Sequence, residues 1–363
     1  MKHARHLIGR LHWPSIVIFI AVLAVAGFLA AIAVVSMGLY NVSARMGHLP
    51  GISWVLHSTF RHSVAIRADA RAPETLDDPG MIALGAGHYE QACATCHGRP
   101  GEGRTATSRA MVPVPPHIQQ AAPRWSAAEL HWLIREGVKM SGMPHWPATR
   151  QDDIWPVVAF LRQVADMDAD SYADLTGGKS RGGCRMCHGE RGVSTNPQVP
   201  RLDILSPDYI AASLRAYRDG DRDSGIMAEA ASRLDDDAIA RLARASGDPS
   251  PIVSARPSGP LVDRGRKLAS ESPRAQVPSC QACHGPWPEP LNRGFPSVSG
   301  QHEPYLAAQL QLWRDGPRGG GEMAELMHHA ARDLADGDIA ALAAYYAARL
   351  PAPINPVQKS VPQ

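Results

Sequence analysis

The polarity pattern divides the chain into two kinds of sequence. From Ile16 to Val35 no residue is charged and almost all are apolar, a run of about twenty that predicts one helix long enough to cross a bilayer. Downstream, apolar residues recur at helical spacing on otherwise polar stretches: Leu130, Leu133, Ile134 and Val138, then Ile210, Leu214 and Tyr217, then Leu306, Leu310 and Trp313. Local signals fix where two of these helices begin. Ser126-Ala127-Ala128-Glu129 is a capping box, and Ser206-Pro207 supplies a cap residue followed by proline at the first helical position.

These patterns belong to a repeat. Each copy opens with C-x-x-C-H-G, passes through an irregular Gly/Pro-rich stretch, enters an amphipathic helix, offers a methionine and closes with a second amphipathic helix. Copies two and three are the closest pair. Tyr209-Ile210-Ala211-Ala212 and Tyr217-Arg218-Asp219-Gly220 align with Tyr305-Leu306-Ala307-Ala308 and Trp313-Arg314-Asp315-Gly316. Leu234, Ile239 and Leu242 register with Leu334, Ile339 and Leu342, provided the third copy carries a short insertion after Gly316. The Pro/Ser-rich stretch from Gly247 to Pro260 reads as a linker.

All six cysteines fall in the three motifs, as Cys93 and Cys96 before His97, Cys184 and Cys187 before His188, and Cys280 and Cys283 before His284. Two thiols that add to haem vinyl groups as thioethers, with an adjacent histidine to ligate the iron, explain this pattern. A zinc site or a redox dithiol leaves the histidine unexplained. Three covalently bound haem c groups are therefore expected, and with no cysteine left over no structural disulfide is available. Each proximal histidine is expected to donate its other ring nitrogen to a backbone carbonyl, for which Pro116, Pro200 and Pro296 are the candidates.

Methionine as sixth ligand raises a haem potential and fills the site, so the choice of methionine separates a carrier from a catalyst. In the first copy Met143, between Gly142 and Pro144, is preferred over Met140. In the second, Met227 stands alone between the haem motif and the last helix. In the third, the register that matches Met227 to Leu234 selects Met327 over Met323, with His328 and His329 as rival ligands. No catalytic residue is expected.

Composition adds limits rather than chemistry. The chain has 363 residues, which favours two or three domains, and only 6% are aromatic, so the macrocycles must supply apolar bulk. A net charge of +2 argues against nucleic acid as a partner. Lysine occurs only at Lys2, Lys139, Lys179, Lys267 and Lys359, so a lysine-ringed docking face is not expected. Lys2, Arg5 and Arg10 precede the apolar run, which places the N-terminus in the cytoplasm and the remainder beyond the membrane. Ala31-Ile32-Ala33 offers a cleavage site for the competing reading as a signal peptide, although the apolar run exceeds the usual length. The stretch after the run, with Trp54, His57, Phe60 and His62, is read as interfacial packing.

His88-Tyr89 ahead of the first motif, Gly98 after it, and the segment Gly137 to Pro144 resemble the membrane-anchored multihaem class I cytochromes c of proteobacteria. Copies two and three resemble the dihaem cytochrome c4 group, through Pro296-Ser297-Val298-Ser299-Gly300-Gln301 followed by Tyr305-Leu306. The second copy departs from that pattern, with Ile204-Leu205 in place of Gly-Gln and Ala245-Ser246 in place of Tyr345-Tyr346. Haem two is expected to be more exposed there, or its closing helix looser.

The resemblance implies an all-α fold, an N-terminal transmembrane helix followed by three tandem class I cytochrome c domains. The expected divisions are a cytoplasmic stub and anchor at 1–40, a juxtamembrane segment at 41–80, and cytochrome domains at 81–170, 171–250 and 258–351. It also implies an electron carrier held in the bacterial inner membrane by a single span, with its haem domains in the periplasm. The expected role is a relay of single electrons from a respiratory donor, such as a quinol-oxidising complex, to a terminal oxidase or other periplasmic acceptor. The alternative is the cytochrome subunit of a membrane-bound alcohol, aldehyde or sugar-acid dehydrogenase that feeds ubiquinone. A Thr-Asn-Ile-Thr-Pro-like segment typical of such subunits is absent between Gly98 and Trp125. A peroxidase or haem-based sensor requires an iron lacking a strong sixth ligand, and each copy has its methionine.

Overall fold

The computed structural model describes residues 13–43, 45–48, 50–177, 183–246, 258–271, 277–285, 292, 294–321 and 323–351. Lys2, Arg5 and Arg10, on which the expected orientation rests, lie outside the described residues, as does the linker from 247 to 257. The chain forms two compact units, 1–59 and 60–363. Among the described residues the regular secondary structure is helical throughout.

The first unit carries α1 (Trp13–Ser36), whose apolar side chains cover every face with none buried. Its 24 residues span about 36 Å at 1.5 Å per residue, enough for a hydrocarbon core of about 30 Å. The helix is thus long and apolar enough to cross a membrane. The segment that follows is helical as well, as α2 (Ile52–Arg67).

The second unit starts its first haem-motif region with α3 (Pro79–Ala92). Asp78 caps it by accepting from the Met81 N–H at 2.9 Å, and Pro79 takes the first position, where a missing N–H costs nothing. The short α4 (Ala94–His97) carries the first motif, and α5 (Ala106–Ala110) and α6 (Ile118–Ala121) follow it. Next come α7 (Ala127–Glu136), opened by the expected Ser126/Glu129 capping box, α8 (Trp155–Leu161) and α9 (Ala169–Thr176). The middle stretch holds α10 (Cys184–His188), α11 (Pro207–Asp219) with Ser206 as cap, α12 (Gly225–Ala231) and α13 (Asp236–Ser246). The last holds α14 (Pro260–Ser270), α15 (Cys280–His284), α16 (Glu303–Asp315), α17 (Ala324–Ala331) and α18 (Asp336–Ala347).

Three hydrophobic clusters underlie these stretches. The first gathers Tyr89, Trp146, Trp155, Val158 and Phe160, and Tyr172 of α9 joins it although α9 straddles the expected boundary at 170/171. The third centres on Leu306, Leu342, Tyr345 and Tyr346. The middle cluster is smaller and, among the described residues, has Ile204, Leu205, Ile210 and Ala243 at its buried centre. Consistent with the substitution of Ala245-Ser246 for two tyrosines, α13 buries Ile239 and Ala243, whereas α18 buries Ile339 and everything from Ala341 to Tyr346.

Two helix crossings depend on glycine. A Cβ at Gly85 would lie 1.9 Å from the Pro156 carbonyl oxygen where α3 meets α8, and one at Gly265 would lie 1.9 Å from that of Ala341 where α14 meets α18. The register between the second and third copies is visible in their arginines. Arg218 donates to the Leu234 carbonyl at 3.3 Å and to Asp236 at 3.1 Å, and Arg314 donates to the Leu334 carbonyl at 3.3 Å and to Asp336 at 2.6 Å.

Side chains join the stretches into one body. Asn196 donates to the Gly80 carbonyl at 2.9 Å, and the Thr149 N–H donates to Asp223 at 3.0 Å. On the other side, Gln301 accepts from the Arg201 N–H at 2.9 Å and donates to the Arg201 carbonyl at 3.0 Å. The same arginine forms a buried ion pair with Asp203 at 2.7 Å. A buried charge needs such a partner, because an unpaired one costs several kcal/mol.

Candidate haem attachment sites

Each C-x-x-C-H motif folds as a single short helical turn ended by a glycine with positive φ, at Gly98, Gly189 and Gly285. That turn brings the two thiols of a motif to one side and leaves the histidine at its C-terminal end. The histidine then reaches a proline carbonyl farther along the chain in all three cases. His97 Nδ1 lies 2.9 Å from the Pro116 oxygen, His188 Nδ1 3.0 Å from that of Pro200, and His284 Nδ1 3.0 Å from that of Pro296. A carbonyl only accepts, so Nδ1 carries the proton in each ring.

Burial pulls all three imidazoles below the ordinary histidine range, with the carbonyl contact offsetting part of the effect. A neutral ring protonated on Nδ1 has a bare lone pair on Nε2, the form that ligates a metal. In the third motif that Nε2 faces Met327 Sδ at 3.4 Å. Each of these atoms carries a lone pair of the kind that ligates a metal, so the pair is chemically suited to serve one iron. His97 and Met143, and His188 and Met227, do not meet at hydrogen-bond distance in this way.

The other methionine candidates differ in their surroundings. Met140 is 90% exposed at a positive φ of 59°, whereas Met143 is half-buried and its N–H donates to Ser141 Oγ at 3.1 Å. Met227 sits in the first turn of α12, its N–H donating to Ser224 Oγ at 3.3 Å. Met323 stands at the N-cap of α17. His328 is engaged elsewhere, its Nδ1 2.9 Å from the Trp313 carbonyl and its ring edge-on to Trp313, and His329 is exposed.

The thiols fit a thioether better than a thiolate. Burial pushes Cys93 up to about 12 and Cys187 up to about 11, so the surroundings favour an uncharged sulfur. Buried polar groups near the third motif also lack a partner among the described residues, namely Tyr346 Oη and Arg318 Nε. Cys280 and Cys283 act electrostatically on Tyr346, and Arg318 on His284. An uncompensated buried donor is costly, and the acidic edge of a haem is the kind of group that satisfies one.

The structure adds residues that sequence reading missed. Arg222 and Arg318 are both buried, lying over the rings of Tyr217 and Trp313 at 4.5 and 4.9 Å, at matching positions of the second and third copies. Their signal was available as the repeated arginine two residues after Gly220 and Gly316. Around the first and second motifs, a Cβ at Gly87 would sit 2.9 Å from Cys187 Sγ, so α3 passes directly beside the second motif. Next to it, burial pulls the His88 imidazole down to about 4, and its ring packs 4.9 Å from Trp146.

Residues 80–161 match the family described as cytochrome c oxidase, cbb3-type, subunit III. Over 186 residues the chain is 33% identical to the thiosulfate dehydrogenase electron acceptor of Thiomonas intermedia, a match that covers 49% of this chain and 82% of the relative. The protein of the same description from Stutzerimonas stutzeri is 30% identical over 217 residues, covering 56% of this chain and 94% of its own length. Cytochrome c4 of Pseudomonas aeruginosa is 30% identical over 188 residues, covering 49% of this chain and 89% of its own.

Proposed function

Because this chain belongs to the class I c-type cytochromes related to cytochrome c4, electron-transfer proteins with covalent haem c, we propose that it is a membrane-tethered trihaem relay. The three haems attach through Cys93/Cys96, Cys184/Cys187 and Cys280/Cys283. Their irons are held by His97 and Met143, His188 and Met227, and His284 and Met327. Each haem supplies one reversible electron. The chain's own residues hold it, fix the histidine tautomer through a proline carbonyl, and exclude water. In this reading the cytochrome domains span 81–170, 171–250 and 258–351, on the periplasmic side of an inner membrane crossed once by α1.

The observation that carries the reading is the repeated geometry of a neutral histidine anchored on Nδ1 by a proline carbonyl, joined in the third motif by Met327 Sδ at 3.4 Å. The acceptor is a terminal oxidase or another periplasmic redox protein, which the similarity of residues 80–161 to an oxidase subunit supports. For the donor, two relatives described as thiosulfate dehydrogenase electron acceptors favour a periplasmic dehydrogenase over a quinol-oxidising complex.

The test is a redox-poised optical titration of the purified membrane form, with carbon monoxide added to the reduced protein. Three low-spin haems inert to carbon monoxide, with the thioether band near the red end of the spectrum, are expected. A haem that takes up carbon monoxide in the unaltered protein overturns the pure relay. Rapid mixing with a thiosulfate dehydrogenase turning over thiosulfate, and separately with a quinol-oxidising complex, then distinguishes the two donors.

A further inference from the structure

The helix that carries Met227 is held at its start by side chains from the first haem-motif region. Asp153, 8% exposed, accepts from Ser224 Oγ at 2.9 Å and from the Ile226 N–H at 3.2 Å. Ser224 in turn accepts from the Met227 N–H, so a carboxylate, a hydroxyl and the methionine's own amide form one continuous chain of hydrogen bonds. Arg150 stands 3.9 Å from the same carboxylate and donates to the Asp223 carbonyl at 3.2 Å. Alongside, the indole of Trp146 lies so close to Gly225 that a Cβ there would meet it at 2.2 Å. Ile226, next to Met227, packs into the first hydrophobic cluster rather than into the middle one.

Among the described residues, the third copy has no counterpart of this arrangement. The helix bearing Met327 begins at Met323 with no side-chain cap. The second and third copies, otherwise in register, thus differ at the one helix that presents the sixth-ligand candidate.

We infer that Asp153 is a positioning residue for Met227, and that the first haem-motif region sets how firmly haem two is ligated. This rests on Met227 being the sixth ligand of that haem. A thioether is a weak, neutral ligand whose bond depends on the placement of its backbone, and α12 has only seven residues with which to place it. Asp153 supplies an acceptor oxygen to the Ser224 hydroxyl and to the Ile226 N–H, one of the donors at the start of that helix that have no partner within it. The close fit of Gly225 on Trp146 fixes the approach of the two parts.

The experiment compares full-length haem-loaded protein carrying Asp153→Ala, Ser224→Ala, Asp153→Asn or Met227→Ala. Redox titration, the red-end thioether band and carbon monoxide uptake by the reduced form are read for each. Asp153→Ala and Ser224→Ala are expected to lower the potential of a single haem, weaken the share of the thioether band belonging to it, and admit carbon monoxide there. Asp153→Asn keeps an acceptor oxygen for Ser224 and is expected to restore most of the band. If Met227→Ala opens one haem while Asp153→Ala and Ser224→Ala leave all three unchanged, the positioning role is wrong and the ligand stands. If Met227→Ala opens none, the ligand assignment itself fails. A shift of all three haems alike in Asp153→Ala marks general loosening and also overturns the inference.

Discussion

His284 Nε2 and Met327 Sδ face each other across 3.4 Å, while the Nδ1 of the same histidine is tied to Pro296 at 3.0 Å. The ring cannot turn away without losing the proline contact. Replacement of Met327 by alanine is therefore expected to lower the potential of one haem by on the order of 0.1 V, within the span of about 0.8 V that axial ligation commands. The reduced protein should then bind carbon monoxide at that haem. Met143→Ala and Met227→Ala should act likewise on the other two, and a potential that does not move rules out the methionine concerned.

The crossings at Gly85 and Gly265 predict a size limit. With a carbonyl oxygen 1.9 Å from where each added methyl would sit, Gly85→Ala and Gly265→Ala force helices apart, a class of change that costs about 1–3 kcal/mol or more. Denaturant unfolding should show a lower midpoint for each. Gly337→Ala serves as the control, because nothing but the far end of Arg264 lies within 4 Å of its added methyl.

Acid should weaken the first region through His88. Its imidazole, buried beside Trp146, titrates at about 4 in the fold and near 6.5 when unfolded. The unfolded chain therefore takes up the proton first as pH falls. The stability owed to a neutral His88 is complete above about pH 6.5, declines below it, and is lost as pH passes the folded value of about 4, a change on the order of 3 kcal/mol. Unfolding measured between pH 7 and pH 4 should show this slope in the unaltered protein and a flatter one in His88→Phe.

Gln301 predicts how the second and third copies stay joined. Its side-chain amide meets both the N–H and the carbonyl of Arg201, so Gln301→Leu removes two hydrogen bonds from a buried seam. Each such bond is worth about 0.5–1.5 kcal/mol. Amide exchange at Arg201 and its neighbours should speed up markedly, whereas exchange in α3 and α8 should be little changed.

The parts of this molecule that sequence made legible are those written in adjacent residues. The haem motifs, the caps at Ser126 and Ser206, and the matched arginines at Arg218 and Arg314 each need only a few neighbouring positions to be recognised. Asp153 lies 71 residues from Ser224, in a stretch, Gln151-Asp152-Asp153-Ile154, that reads as an exposed acidic helix start. Nothing local marks it as buried. The same holds for α9, whose Tyr172 donates to Glu90 at 2.8 Å across 82 residues and so packs with the first cluster. Contacts between repeats are set by surface complementarity, and no periodicity encodes that.

The small middle cluster has a consequence for how such a chain is inherited. Motifs can be copied by gene duplication one at a time, yet a copy whose centre is Ile204, Leu205, Ile210 and Ala243 leans on Asp153 from one neighbour and Gln301 from the other. The stretch that can be duplicated is therefore smaller than the stretch that can stand alone. During synthesis from the N-terminus the middle copy must wait for residues about a hundred positions downstream before its seam closes. Trimming the gene after the second motif would thus remove more than the third motif.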